Sequence, residues 1–337
     1  MKHTKGGAAA PSRVHFQTNP KAPPVFQMTR ERYEAAARRH RDLAGHVQAS
    51  IGCDLDSFYE AMKSADVLVG WNFPRGDLAT RAPRLKWIHV WGAGVEHLLP
   101  LDWLPPGVSL VNNRGVHAQK AGEYMVMAIL MLNNAVPALV TSQRRAQWKE
   151  IFSTSVAGKT LAVIGVGHMG GTGARRAKQL DMSVLGVRRT PRPHRYVDEM
   201  YGPDELHRVL PRADFVLVTT PLTTQTRNLI GRRELDLMKP HAGLINMARA
   251  QVVDYDALRE KLTRGELSGA ILDVFDPEPL PSDSPLWATP NLIMTPHVAS
   301  DDAEQYMPLT LDLVFDNLRR HLAGRPLRNR VQRDREY

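Results

Sequence analysis

The stretch Leu161–Gly170, Leu-Ala-Val-Ile-Gly-Val-Gly-His-Met-Gly, constrains what this chain can fold into more than any other. An apolar run ends in Gly165-x-Gly167-x-x-Gly170, a helix-compatible segment follows over Ala174–Leu180, and a second apolar run covers Ser183–Val187. Strand, glycine turn, helix and strand in that order is the context in which three glycines at this spacing signify dinucleotide binding. Gly165 permits the tight turn, Gly167 lets the backbone approach a pyrophosphate, and Gly170 lets helix and strand pack closely. The N–H groups at the start of the helix, from His168 and Met169, then face the phosphates. A tight turn in an α/β sheet that binds nothing would use the same letters, so the reading rests on the whole unit.

A chain of 337 residues has room for two domains of ordinary size, and 43% hydrophobic residues suffice to fill their cores. The net charge of +9 raises a polyanion or a membrane as partner. Much of the excess lies at the ends: no acidic residue precedes Glu31, and Arg325–Arg335 carries five arginines. No basic stretch is interleaved with stacking aromatics as in single-strand binders. The ends are therefore read as solvated, and nucleic acid is not expected as a partner. The single cysteine, Cys53, excludes an intrachain disulfide framework and suits a reducing compartment, hence a cytoplasmic expectation. No apolar run reaches membrane-spanning length, and Met1–Pro24 lacks the apolar core of a secretory signal. That segment is basic and acid-free, which leaves a transit peptide open, but a frayed N-terminus is the simpler reading. No metal site is expected.

Before the glycine turn, strand-like runs at Val14–Thr18, His46–Ile51, Val67–Gly70, Leu85–Val90 and Ser109–Val111 alternate with helical runs at Arg30–Arg41, capped by Thr29, and Asp54–Lys63. That alternation is itself a small α/β layer structure. Ala118–Asn133 reads as one long apolar helix connecting two domains, with Met125, Met127 and Met131 as core packing. Thr141–Ser155, containing Trp148, reads as a polar connector. Beyond it, Leu161–Val166, Ser183–Val187, Asp214–Val218, Gly243–Asn246, Ser268–Asp273 and Leu292–Met294 predict six parallel strands, with helices at Asp204–Val209, Arg233–Leu237 and Tyr255–Arg264. A last helix is expected over about Asp302–Leu322. The fold class is α/β, with two doubly wound, Rossmann-like domains.

In such sheets ligands sit at the carboxyl ends of the strands. NAD-binding proteins place an acidic residue about 20 positions past the glycines, on the ribose 2′-hydroxyl. Here Arg188, 18 residues past Gly170, stands near that place, followed by Arg189, Thr190 and Arg192. Arginines pair with a 2′-phosphate and stack on adenine. NADP(H) is therefore the preferred cofactor and NAD(H) the alternative, although a solvated arginine cluster would look the same. Three polar residues follow three later strand ends: Arg249 in Asn246-Met247-Ala248-Arg249-Ala250, Glu278 in Asp273–Pro279, and His297 in Thr295–Ser300. Singly, each has a plain structural or solvated reading. Together at one sheet edge they suit reduction of a 2-keto acid. Hydride reaches the carbonyl carbon and the oxygen must gain a proton, which His297 can donate. Glu278 near the other ring nitrogen favours the charged imidazole, and Arg249 can clamp the carboxylate and polarise the carbonyl.

With these motifs in this order the chain resembles the D-isomer-specific 2-hydroxyacid dehydrogenase family, which includes the glyoxylate/hydroxypyruvate reductases. The resemblance covers roughly Leu85–Asn329 and rests on Gly165-Val-Gly-His-Met-Gly170, Pro221-Leu-Thr-Thr-Gln-Thr226, Asn246–Val253, Asp273–Pro279 and Thr295–His297. It implies that Arg249, Glu278 and His297 are the catalytic set, with His297 the acid/base. It implies that Gly92, Ala93, Gly94 and Val95 offer backbone N–H groups to the substrate carboxylate beside Arg249. Asp273 would hold the nicotinamide carboxamide, and Thr220, Pro221, Thr226, Met247 and Ala248 would line the cofactor. The substrate domain would be the smaller one and discontinuous, residues 1–119 completed by a C-terminal helix in 300–337, around an NAD(P)-binding domain at 120–299. Members are usually dimers, which implies a homodimer formed through the cofactor domain and connecting helix. Two departures stand out. Ala250 replaces the glycine that commonly follows the catalytic arginine, a difficulty if the backbone there needs positive φ. Arg188 replaces the acidic residue of the NAD-using members, as in the NADP-preferring ones.

The sequence thus points to NADPH-preferring reduction of a small 2-keto acid, glyoxylate or hydroxypyruvate first, to the D-2-hydroxy acid. The alternative from another class is a nucleotide-sensing regulatory or corepressor protein on the same scaffold, which can keep the same set. An NAD-linked formate dehydrogenase relative carries Gln where Glu278 stands, so Glu278 counts against that branch. Trp71, Trp91, His97, Trp148, Tyr306 and Met307 are candidate pocket residues, each equally readable as core or interface.

Overall fold

A computed structural model describes residues 10–335 and 337. The reading of the N-terminus as frayed, or as a transit peptide, falls for residues 1–9 outside the described residues. By internal contact the chain divides into two units, one formed by residues up to Val116 with Asp302–Tyr337, the other by His117–Asp301.

In the first unit five strands form a wholly parallel sheet: β1 (Ser12–Gln17), β2 (Val47–Gly52), β3 (Val67–Gly70), β4 (Trp87–Val90) and β5 (Ser109–Asn112), in the order β2-β1-β3-β4-β5. Every residue of β3 and β4 is buried, because layers cover both faces of a parallel sheet, and this is why such strands read as unbroken apolar runs. Successive side chains point to opposite faces. Trp87 joins Val14, Phe16 and the C-terminal helix Tyr306–Leu322 in one core, while Ile88 and Val90 join Phe58, Met62 and Leu68 in the other. Helix α1 (Arg30–Arg39) is capped by the Thr29 hydroxyl, which accepts the Arg32 N–H. Helix α2 (Leu55–Met62) starts at Asp54, whose carboxylate accepts the Ser57 N–H, and α3 (Leu78–Arg81) is a single turn. The C-terminal tail is not only a solvated end. Its five arginine side chains are exposed, but Arg330 bridges Val111 in antiparallel fashion and the Val331 N–H donates to the Leu110 carbonyl at 2.8 Å. The tail thereby covers the free edge of β5.

The second unit holds a seven-stranded parallel sheet of β6 (Thr160–Ile164), β7 (Ser183–Val187), β8 (Glu199–Tyr201), β9 (Phe215–Val218), β10 (Gly243–Asn246), β11 (Gly269–Leu272) and β12 (Leu292–Met294), in the order β12-β11-β10-β9-β6-β7-β8. The direction of winding reverses between β6 and β9, the switch point at which such sheets bind ligands. Both sheets are doubly wound and Rossmann-like. Ala162 and Ile164 face one core and Leu161 and Val163 the other.

Four details depart from the sequence pattern. β8 is a seventh strand, three residues long at the sheet edge and too short to show a period. After α4 (Ala118–Asn133), the expected connector begins inside a further helix, α5 (Val136–Arg144), which starts after Ala135 in the left-handed region at φ 51° with Pro137 in its first turn. Met125 is buried in α4 and Met131 packs against the same core, but Met127 is 42% exposed, since i and i+2 do not share a helix face. The last helix begins at Tyr306, because the Asp302 carboxylate accepts the N–H groups of Glu304 and Gln305 and holds a turn ahead of it. No single helix among the described residues is long and apolar enough to cross a membrane; only α4 and α5 together reach that length, and they are bent by 65°.

Candidate active site

β6 delivers its glycine turn to the switch point. Gly165 adopts φ 106°, and a Cβ there would lie 2.6 Å from the Thr220 nitrogen. A Cβ on Gly170 would run into the Gly165 carbonyl oxygen, which already accepts the Thr219 hydroxyl at 3.0 Å. Gly167 differs: its φ of −109° needs no glycine, and a Cβ would meet nothing within 4 Å. Protein packing demands two of the three glycines, and the third keeps clear the approach to the N-terminus of α6 (His168–Gln179). No side chain caps α6, so the positive end of its dipole lies open at its start. Thr220 is half-buried and Pro221 exposed on the neighbouring loop. The Thr226 hydroxyl is engaged within that loop, donating to the Pro221 carbonyl at 2.6 Å and accepting the Thr223 N–H at 2.7 Å. Arg188, half-buried, follows β7 with its N–H on the Tyr201 carbonyl at 3.0 Å; Arg189 and Thr190 are exposed beside it. Met247 and Ala248 are buried at the end of β10, with the Met247 N–H on the Val218 carbonyl.

Arg249, Glu278 and His297 follow the carboxyl ends of three adjacent strands, β10, β11 and β12. His297 Nδ1 lies 2.8 Å from Glu278 Oε2, and Glu278 Oε1 accepts the Phe275 N–H at 2.8 Å. An ionised carboxylate only accepts, so Nδ1 carries the hydrogen and Nε2 is left to exchange a proton. The two side chains are 40% and 38% exposed, within reach of a solute. His297 sits at φ 55°, an uncommon conformation for a residue other than glycine, and Asp273 braces its loop. The Asp273 carboxylate accepts the Thr295 hydroxyl at 2.6 Å and the Val298 and Ala299 N–H groups at 3.0 Å each. Burial pushes this carboxyl up despite those hydrogen bonds. Three of its roughly four acceptor positions are thus spent on the histidine loop. Because the Thr295 hydrogen goes to Asp273, the Tyr124 hydroxyl must donate to Thr295, at 2.6 Å, and burial lifts that phenol to about 12.

Several other residues support this edge. Asn246, fully buried, donates to the Arg249 carbonyl at 3.1 Å and accepts the Ala248 N–H at 3.0 Å, holding the backbone on both sides of that turn. The Tyr255 hydroxyl stands 2.9 Å from Asn246 and donates to the Val274 carbonyl. Arg249 is half-buried, with Nη1 donating to the Ala248 carbonyl. Ala250 opens the 3-10 turn Ala250–Val252 and is not among the residues of positive φ, so its methyl brings no backbone strain. Asp301, four residues past His297, is driven up to about 6 by burial, against the opposing charge of His297.

In the other unit, the loop after β4 presents backbone rather than side chains. The Trp91 carbonyl accepts the Tyr306 hydroxyl at 2.6 Å and Asn113 Nδ2 at 2.7 Å, the Gly92 carbonyl accepts the Asn113 N–H at 2.9 Å, and the Ala93 carbonyl accepts Asn112 Nδ2 at 2.7 Å. In a trans peptide the N–H of the next residue points the opposite way, so the N–H groups of Gly92, Ala93 and Gly94 turn away from these donors. Val95 is buried and leads into the 3-10 turn Glu96–Leu98. The Trp71 indole packs against Gly92, where any Cβ would strike it, and stacks on His97 at 3.9 Å. Of the other candidate pocket residues, Trp91, Tyr306 and Met307 are core, and Trp148 is 95% exposed.

The sequence profile described as D-isomer specific 2-hydroxyacid dehydrogenase, NAD binding domain, matches residues 126–299. The D-3-phosphoglycerate dehydrogenase of Methanocaldococcus jannaschii is 32% identical over 295 residues, 85% of this chain; the chain spans about half of that relative's length, 55%. Glyoxylate/hydroxypyruvate reductase B of Pectobacterium carotovorum is 32% identical over 290 residues, 82% of this chain and 90% of that protein. A D-isomer specific 2-hydroxyacid dehydrogenase from Xanthobacter autotrophicus, solved with NADPH and MES, superposes with a TM-score of 0.81 at 28% identity, covering 98% of this chain and all of that one.

Proposed function

The chain belongs to the D-isomer-specific 2-hydroxyacid dehydrogenase family, and on that ground we propose that it reduces a small 2-keto acid, glyoxylate or hydroxypyruvate first, to the D-2-hydroxy acid with NADPH preferred. The observation that carries the reading is the His297–Glu278 pair, 2.8 Å apart on the sheet edge that also bears Arg249. A nicotinamide dinucleotide suits the residues present. The turn of Gly165, Gly167 and Gly170 with the uncapped start of α6 would hold its pyrophosphate, Thr220, Pro221, Met247 and Ala248 would flank it, and the remaining acceptor of Asp273 would take its carboxamide. Bound there, it supplies the hydride. Arg188, Arg189 and Thr190, with no carboxylate among them, support a 2′-phosphate, and the Xanthobacter relative was solved with NADPH.

The chain's own residues would do the rest. Arg249 polarises the carbonyl, and the loop Gly92–Val95 supplies backbone N–H groups suited to a carboxylate. His297 gives a proton from Nε2 to the carbonyl oxygen, while Glu278 keeps the hydrogen of Nδ1 fixed and stabilises the charged ring before transfer. Met127, Leu130 and Leu139 of α4 and α5, exposed together with Trp148 and Phe152 (95% and 92%), support association of two copies through this surface. The free Cys53 supports a reducing, cytoplasmic setting.

Initial rates with NADPH and with NADH, against glyoxylate, hydroxypyruvate, pyruvate and phenylpyruvate in parallel, test the proposal. A strong NADPH preference with a small keto acid is expected. Faster turnover with NADH would remove the arginine argument but leave the enzyme; cofactor binding without any turnover would favour a regulatory protein on this scaffold.

A further inference from the structure

A run of backbone N–H groups becomes an anion site when the intervening carbonyls are committed elsewhere. In the loop after β4, Asn113 and Tyr306 commit the carbonyls of Trp91 and Gly92, whereas that of Ala93 is held by Asn112 Nδ2. Asn112 is fully buried at the end of β5, and its own Oδ1 accepts the Arg114 N–H at 3.3 Å. Its main chain is gripped by the C-terminal tail: the Asn112 N–H donates to the Asn329 carbonyl at 3.2 Å, and Asn329 Nδ2 donates to the carbonyls of Asn112 (3.1 Å) and Arg114 (2.7 Å). Asn329 adopts φ 56°, a left-handed conformation that asparagine tolerates better than most residues. Arg330 and Val331 continue the pairing along β5.

We propose that Asn112 and Asn329 are positioning residues through which the C-terminal tail holds the Ala93–Gly94 peptide in the orientation that binds the substrate carboxylate. The proposal rests on the reading of Gly92–Val95 as the carboxylate site. Without the Asn112 amide the Ala93 carbonyl is free to turn over, and the peptide then presents an oxygen to the anion in place of the Gly94 N–H. One donor becomes one repulsive acceptor, while the cofactor turn and the His297 edge, in the other unit, keep all their own hydrogen bonds.

The test uses the full-length protein carrying Asn329→Gly, which keeps the left-handed backbone and deletes the amide, and Asn112→Asp, which replaces the donor by an oxygen. KM for glyoxylate and for hydroxypyruvate, KM for NADPH and kcat are measured, and oxalate binding is followed separately by calorimetry. Asn112→Asp is expected to raise keto-acid KM and oxalate Kd by roughly tenfold or more, and Asn329→Gly by about threefold, as for the loss of one hydrogen bond and the weakening of another. KM for NADPH and kcat should stay within about twofold. Should Asn112→Asp not fold, Asn329→Gly decides alone. A folded Asn329→Gly with unchanged keto-acid KM and oxalate affinity overturns the proposal, and so does a uniform loss in kcat and both KM values. If the wild-type protein itself neither turns over keto acids nor binds oxalate, the carboxylate reading has failed first, and that is visible before any variant is made.

Discussion

The edge of β10, β11 and β12 offers side chains: an imidazole, a carboxylate and a guanidinium, each a few residues past a strand end. The loop after β4 offers backbone, N–H groups turned away from Asn112, Asn113 and Tyr306, which hold the carbonyls. The first arrangement announces itself, since residue type and strand position together state the chemistry. The second is silent, since Gly-Ala-Gly-Val says only that the chain can turn there. Side-chain sites are written where they act, while backbone sites are written in their partners.

The contrast can be broken most directly at His297. His297→Asn should lower kcat by roughly 10²–10⁴-fold with NADPH binding kept, as read by cofactor titration. A variant within about tenfold of wild type would mean that the side-chain edge is not where the proton moves. Acid is the next largest lever and reaches both units. Burial pushes His89 and His117 down from 6.5 to about 4. Between those values the unfolded chain binds protons that the folded chain does not, so their contribution to stability is complete above pH 6.5 and is lost as the pH falls towards 4. Each gap corresponds to about 3 kcal/mol. His89 Nε2 donates to Asn113 Oδ1 at 2.8 Å, so in the smaller unit this loss falls on the network beneath the substrate loop. Urea unfolding at pH 7 and pH 4.5 checks it, and His89→Gln should flatten part of the difference; equal midpoints at the two pH values would refute buried neutral histidines.

The glycine turn sharpens the comparison further, because packing requires Gly170 but not Gly167. Gly170→Ala, forced against the Gly165 carbonyl, should cost about 1–3 kcal/mol in thermal or urea unfolding. Gly167→Ala should leave stability unchanged and weaken only the dinucleotide, seen as a higher KM for NADPH; the reverse pattern would show that the two roles have been exchanged. The smallest effect is that of the tail, the few-fold change in keto-acid KM expected for Asn329→Gly.

The parts that were legible beforehand share a physical cause. β3 and β10 match their apolar runs because a parallel strand buried on both faces admits no polar break. Arg249, Glu278 and His297 drew notice because each follows the end of such a run by a few residues. β8, three residues at an edge, had no run to recognise, and α5 was hidden because Val136–Arg144 starts with a left-handed alanine and a proline rather than a polar cap. Met127 was misread as core because a helix face cannot be assigned from residue type alone. Ala250 looked like a defect in the arginine loop only until its turn was seen to be right-handed.

By itself the sequence determined the α/β class and the glycine turn, because these depend on residue type and short spacing. Only the tertiary structure decided which carbonyls of the substrate loop are committed, that Asp273 braces the histidine loop, and that the tail closes β5. Those choices are made by hydrogen bonds between distant residues. Asn112 reaches Ala93 across 19 positions, Thr295 reaches Asp273 across 22 and Asn329 reaches Asn112 across 217, distances over which no local pattern carries information.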